Sequence, residues 1–294
     1  MGLPVLLPFV LVAFAANSLI TRHVVGDDLL DAGLLSAFRF LAGAVALVAL
    51  TASRHERPVV GRANLVPALW LGVYAVCISY GYRYIGAAAG TFVFYATVLL
   101  TLVASDVVRK VAVPRRRALG ALVSLAGIGV LAFADSGAVS LRGVLLLAAT
   151  GAAWGLYTAA GRTGDPRVAT TGHFVLLAAV AVVPAGVGVA AGLQVTLSGV
   201  VWAVVMGAGT TAFAYVAWYA CQRVLSGAAA GSAQLVIPVL TAAGAVVLLD
   251  EVLSGWLLVA AVLVGAGMIL GRPRSGAARA ERGKPLPGAR HRAT

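Results

Sequence analysis

The sequence predicts an all-α integral membrane protein of ten transmembrane helices, built as two inverted five-helix repeats. Three observations lead there: an apolar excess that no water-facing surface could carry, ten apolar runs of spanning length, and matched features about 140 positions apart. Of 294 residues, 61% are hydrophobic and 11% charged, and mean hydropathy is +0.98. A soluble domain carries roughly a quarter charged residues. A soluble fold of this size would have to expose its apolar excess to water. The lipid bilayer is therefore the expected surrounding.

In lipid, backbone polar groups must be satisfied within the segment, so long apolar runs mean helices. The runs place spans near 3–21, 30–51, 64–84, 86–105, 117–134, 141–160, 171–191, 198–220, 228–249 and 254–271. A tight turn near Ile85-Gly86 is all that separates the third and fourth. Met1 to Ile20 holds no positive charge ahead of its apolar stretch, so it reads as a retained helix rather than a cleaved signal. Cys77 and Cys221 both fall inside apolar runs, which suits small core residues better than a disulfide or a zinc site.

The net charge of +12 sits between the apolar runs and in the tail, which points to topology and not to nucleic acid. One set of alternate connections holds Arg54, Arg57 and Arg62, then Arg109, Lys110 and Arg115 to Arg117, then Arg162 and Arg167, then Arg223. The tail adds Arg272, Arg274, Arg279, Arg282, Lys284, Arg290 and Arg292, bringing this set to eighteen of the 22. The opposite set holds Arg22, Arg83 and Arg142, and Arg39 lies inside a span. The asymmetry predicts an inner-membrane protein with both termini cytoplasmic.

The two halves correspond. Gly86-Ala87-Ala88-Ala89-Gly90 opens the fourth span, and Gly227-Ala228-Ala229-Ala230-Gly231 opens the ninth. At an offset of 140, Phe14-Ala15 meets Trp154-Gly155, Arg22 meets Arg162, and Ala126-Gly127 meets Ala266-Gly267. A repeat of five spans is odd, so the second copy must enter the membrane with opposite polarity. Inverted repeats of this kind build many secondary transporters, with the substrate near the midplane where the halves meet. The expected organisation is 1–136 and 137–271 as the two repeats. Residues 272–294 are expected to be a disordered basic cytoplasmic tail drawn to anionic lipid.

The chain resembles an EamA-type member of the drug/metabolite transporter superfamily over residues 1 to about 271. The resemblance is carried by Trp154-Gly155, Arg39-Phe40 and the aromatic run Tyr215 to Tyr219. The closing segment carries it furthest: Gly227 through Pro238-Val239 to Asp250-Glu251, and then Gly265-Ala266-Gly267. It implies helices 1–4 and 6–9 around a central cavity, with 5 and 10 at the periphery. It also implies gradient-driven transport of amino acids, related metabolites or drugs. The chain departs from the family where Phe14-Ala15 replaces a frequent Trp-Gly, and where Ile237 replaces a frequent Glu before the proline. A proton-coupling acid in helix 9 is thus put in doubt.

Arg39 is the charged residue deep inside a predicted span, about ten residues in and hence near mid-membrane. It reads either as an anchor for a substrate carboxylate or phosphate, or as a structural group bonding carbonyls and hydroxyls. Tyr74, Tyr80, Tyr95, Trp154, Tyr157, Tyr215 and Trp218 fall on spans that the resemblance puts around the cavity, and can stack on a flat substrate. An interfacial belt is the alternative, above all for Tyr82 and Tyr84. Asn17 and Gln234 are polar groups within spans, able to bind substrate or to bond across helices. Glu251 at the outer end of the ninth span and His173 near the start of the seventh are weaker candidates for gradient coupling. No metal or cofactor is expected. Gly151/Gly155 and the other small-xxx-small pairs read as close packing.

Rival readings are a membrane enzyme, a scaffold, and a nucleotide-sugar or lipid-linked carrier of the same fold. Asp27-Asp28-Leu29-Leu30-Asp31 matches the DDxxD pattern that binds magnesium diphosphate in prenyl transfer. No second acidic cluster accompanies it, and the loop is expected outside. The chain is therefore expected to be a transporter of a small-molecule substrate, an exporter rather than an importer. Homodimerisation is open.

Overall fold

The computed structural model describes residues 3–56, 60–108, 110, 113–133, 140–160, 166–225, 233–234 and 236–271. They form α1 (Leu3–Gly26), α2 (Ala32–Ala52), α3 (Arg62–Gly81), α4 (Ala87–Val108) and α5 (Arg115–Phe133). A second set follows: α6 (Leu141–Ala160), α7 (Pro166–Ala190), α8, α9 (Val236–Leu248) and α10 (Gly255–Leu270). Helix α8 runs without a break through Leu197–Val205, a π-helical stretch Met206–Phe213, and Ala214–Val224. Six of these helices are long and apolar enough to cross a membrane, while α9 and α10 are shorter apolar helices. The ten predicted spans correspond to the ten helices, and the third and fourth are joined by the short turn Tyr82 to Gly86 as expected. The Gly227 to Gly231 run and the 272–294 tail lie outside the described residues.

Burial is inverted relative to a soluble protein. Val45, Val180 and Val247 are each more than 70% exposed, while Asn17, Ser18, Thr21, Ser36, Arg39, Ser79 and Thr211 are buried. Hydroxyls in these helices are satisfied locally: Thr21 Oγ1 donates to Asn17 O at 2.7 Å and Ser79 Oγ to Ala75 O at 2.9 Å. Outward valines facing lipid and inward polar groups are what an apolar solvent selects.

The main packing pairs are α5 with α10, α2 with α7, α3 with α6, α4 with α6, α1 with both α8 and α9, α2 with α8, and α3 with α7. Small residues set the closest of these. A Cβ at Gly151 would sit 2.8 Å from Thr97 Cβ, so α6 lies directly against α4. A Cβ at Gly267 would sit 2.6 Å from the Ser124 amide nitrogen, which fixes α10 on α5. The packing reading of the Gly151/Gly155 pair holds.

The described residues of the connections that follow odd-numbered helices are knitted together at one end of the bundle. Leu30 bridges Val195, and Asp31 N donates to Gln194 O at 2.9 Å. Thr196 Oγ1 donates to Leu29 O at 2.7 Å while accepting from Gly199 N, so one side chain both caps α8 and ties two loops. Ser140 N donates to Tyr84 O, and Arg83 pairs with Asp28. Asp31 caps α2 and Ser254 caps α10, both with the short oxygen side chains that N-caps favour. Helix α4 has no cap of its own. Its Ala87 and Ala88 amides donate to the carboxylate of Glu251, from 164 and 163 positions away, at 2.6 and 3.2 Å. Arg22 completes this corner: Nε lies 3.8 Å from Glu251 Oε1, and Nη1 donates to Tyr82 O at 2.8 Å. Tyr82 is fully buried with its hydroxyl 2.9 Å from Thr91 Oγ1.

The sequence predicts α8 as a regular span; the chain instead widens into a π turn at mid-length. Met206-Gly207-Ala208-Gly209 contains two poor helix formers. There Gly207 lies against the Arg39 backbone, where a Cβ would sit 3.0 Å from Arg39 Cα. Thr210 and Thr211 turn to Asn17.

Candidate functional site

At the centre of the bundle Phe14, Asn17, Tyr74, Phe94, Tyr95, Trp154 and Tyr215 enclose a small cavity. They come from α1, α3, α4, α6 and α8, so both halves of the chain contribute. Six rings and one amide make the wall. Phe14 stands edge-on to Trp154 (5.6 Å, 87°) and to Tyr215 (5.8 Å, 83°). Trp154 lies 4.9 Å from Tyr215 and 5.3 Å from Tyr74, and Phe94 lies 4.5 Å from Tyr95. These separations fall within the range of favourable ring pairs. The free volume is about 10 Å³, on the order of one water. The rings must part before a metabolite can enter.

Asn17 is the polar hub. Its Nδ2 donates to Thr211 Oγ1 at 2.9 Å and to Thr210 Oγ1 at 3.4 Å, and its Oδ1 accepts from the Tyr74 hydroxyl at 3.4 Å. One amide therefore joins α1, α3 and the π turn of α8. The indole N–H groups of Trp154 and Trp218 are buried with no hydrogen-bond partner among the described residues. Unpaired buried donors are costly, and donors beside a cavity are available to a guest.

The cavity gathers five of the residues singled out from sequence: Asn17, Tyr74, Tyr95, Trp154 and Tyr215. Tyr157 and Trp218 stand one layer behind, 5.7 Å from Trp154 and 6.0 Å from Phe14. Arg39 is fully buried and not on the wall; its Cζ lies 5.8 Å from the Tyr74 ring. Tyr80 is 37% exposed and takes no part in the lining. Gln234 is half-buried just ahead of α9, its Oε1 unpartnered among the described residues, and it does not line the cavity. His173 is buried with Nδ1 3.2 Å from the Tyr157 hydroxyl. Glu251 is at the knitted end, where its oxygens cap α4.

Sequence reasoning missed Phe14 and Phe94 as lining. Phe14 had a signal, since it stands 140 positions before Trp154 and packs against it. Phe94 had none, being one apolar residue among many.

The DDxxD loop does not assemble a metal site. Asp27 pairs with His23, Asp28 with Arg83, and Asp31 caps α2. The three carboxylates thus serve three separate partners. Among the described residues no group of three or more His, Cys, Asp or Glu side chains could hold a metal ion.

A multi-helix bundle with lipid-suited flanks and a ring-walled cavity drawn from both halves defines a polytopic membrane protein. The chain belongs to the EamA-like transporter family, whose family model matches residues 141–271. It is 34% identical over 274 residues to an uncharacterized protein of Pseudomonas aeruginosa, covering 92% of this chain and 95% of that one. It also shares its fold with a protein of known crystal structure at 22% identity and a TM-score of 0.62, over 92% of this chain and 99% of that chain. The family is one of drug/metabolite-superfamily transporters, and the chain is a multi-pass membrane protein. The prenyl-transfer reading finds no support.

Proposed function

We propose that the chain is a secondary transporter that exports a small metabolite across the inner membrane by alternating access. Both termini are cytoplasmic in this reading, and the knitted end, whose loops carry Arg22, Arg83 and Arg142, faces outward. The carrying observation is the central cavity, walled by rings from both halves and shut at one end by polar ties that can separate. Two inverted five-helix repeats would explain the packing. Exchanging helices 1–5 for 6–10 turns α1 on α9 into α6 on α4, and α2 on α8 into α7 on α3, while α5 on α10 and α2 on α7 map onto themselves. Such a pair of halves has two near-equivalent arrangements, one open to each side.

The π turn of α8 supplies a place to bend, because helix kinks occur at π-bulges, which are frequent at functional sites. It lies between the half of α8 at the knitted end and the half that carries Tyr215, Trp218 and Tyr219. Its threonines hold Asn17, so motion there is felt at the cavity.

The test is a metabolite panel in proteoliposomes, with and without an imposed pH gradient. Saturable flux without ATP is expected, and Trp154→Leu should lower it by roughly tenfold through loss of ring contacts worth about 0.5–1.5 kcal/mol each. Flux that requires ATP, or a variant that inserts and transports as well as the parent, would contradict the proposal.

A further inference from the structure

Arg39 is the one Arg or Lys buried among the described residues, and it is 0% exposed. None of the four ion pairs among those residues includes it. Its Nη2 donates to Ala75 O at 3.0 Å, but Nε and Nη1 have no hydrogen-bond partner among the described residues. Even that one anchor is shared, since Ala75 O also accepts from Ser36 Oγ at 3.0 Å and Ser79 Oγ at 2.9 Å. Beyond that carbonyl, the Phe40 and Tyr74 rings each lie 5.8 Å from Cζ, at the outer limit of a cation–π contact. A guanidinium sealed in a membrane core with two idle donors lacks its counter-ion.

Tyr74 connects this charge to the cavity. One neighbour of its ring is the guanidinium; the others are the cavity rings Phe94, Trp154 and Tyr215. Its hydroxyl donates to Asn17 Oδ1 across a long 3.4 Å and also bonds with Tyr215. The rings must part for any guest, and Tyr74 is a ring that both lines the cavity and faces the guanidinium.

We propose that the cavity takes an organic monoanion, a carboxylate on a small, flat, apolar body, with Arg39 as its counter-ion. This names the substrate class of the transporter reading and rests on it. The rings bound the body and leave no carboxylate on the wall to receive a cation. Nη2 gives one hydrogen to Ala75 and keeps a second, so one fork edge remains, shared with whichever of Nε and Nη1 adjoins that hydrogen, matching a carboxylate. One guanidinium balances one negative charge, which disfavours a phosphate dianion.

The experiment uses the full-length protein in detergent, titrated with benzoate, benzamide, benzylammonium and phenyl phosphate and followed calorimetrically. Benzoate is expected to bind at least about tenfold more tightly than benzamide, as a charge-assisted bond exceeds a neutral one, and benzylammonium not at all. Arg39→Gln should erase the preference for benzoate over benzamide. The proposal is overturned if benzamide or benzylammonium binds as tightly as benzoate, if phenyl phosphate binds more tightly, if no probe binds, or if Arg39→Gln keeps the preference. Should Arg39→Gln fail to insert, the ladder of probes on the parent protein decides alone. Binding needs no flux, so the two readings fail separately. Gradient-driven flux of other solutes with benzoate ignored defeats the substrate class, whereas benzoate binding without any flux defeats the transporter.

Discussion

Glu251→Ala is expected to open the knitted end. In a chain with Cys77 and Cys221 replaced by Ala, a cysteine at Ser18 should react about 30-fold faster with a membrane-impermeant thiol reagent once Glu251 is truncated. The carboxylate accepts from the Ala87 and Ala88 amides and faces Arg22, which in turn holds Tyr82 O. Hydrogen bonds to a charged acceptor contribute about 1.5–3 kcal/mol each. Water replaces much of this when the end opens, and Arg22 is partly exposed, so a net of about 2 kcal/mol remains, a factor of about 30 in the opening equilibrium. Glu251→Gln keeps one acceptor oxygen and should fall between. An unchanged labelling rate in a folded Glu251→Ala protein would show that this corner does not hold the end shut.

Gly267→Val is expected to lose about 3 kcal/mol of stability, at the upper end of overpacking effects. The atoms a Cβ would strike at Gly267 include the Ser124 amide nitrogen at 2.6 Å, backbone that cannot swing aside. Helices α5 and α10 would have to separate along their crossing, where Gly127 also lies close, 2.7 Å from Val264 Cγ2 to an added Cβ. Gly265→Ala is the control, since nothing lies within 4 Å of its added Cβ. Thermal unfolding in mixed micelles should drop sharply for Gly267→Val and stay level for Gly265→Ala. Equal midpoints for the two would remove close backbone contact as the basis of the α5–α10 pairing.

Much of the architecture was legible because lipid imposes a simple rule, that a long apolar run is a helix. The caps Asp31, Thr196 and Ser254 could also be read, being short oxygen side chains just before an apolar run. The cap of α4 could not. Its carboxylate comes from Glu251, and no local pattern announces a partner 164 positions away. The sequence offers Glu251 only as a weak coupling candidate; its partners in the fold are two amides and Arg22. The π turn was invisible for a related reason. It coincides with the close approach of Gly207 to the Arg39 backbone, a tertiary demand on one glycine that looks like an ordinary small residue. The cavity was half legible. Tyr and Trp within spans stood out by type, and Asn17 by polarity, but type alone could not separate Tyr95, which lines the cavity, from Tyr80, which does not. Only the direction each side chain takes from its helix decides that.

The central claim is that the cavity is reached from each side in turn. The direct measurement places a single cysteine at Thr210, beside Asn17, in the Cys77→Ala/Cys221→Ala background, reconstituted in oriented vesicles. An impermeant thiol reagent is applied from either side while a transported solute or gradient is imposed. The account predicts labelling from one side in one condition and from the other when the gradient is reversed, never from both at once. Labelling from a single side under every condition, in vesicles that still transport, would contradict it.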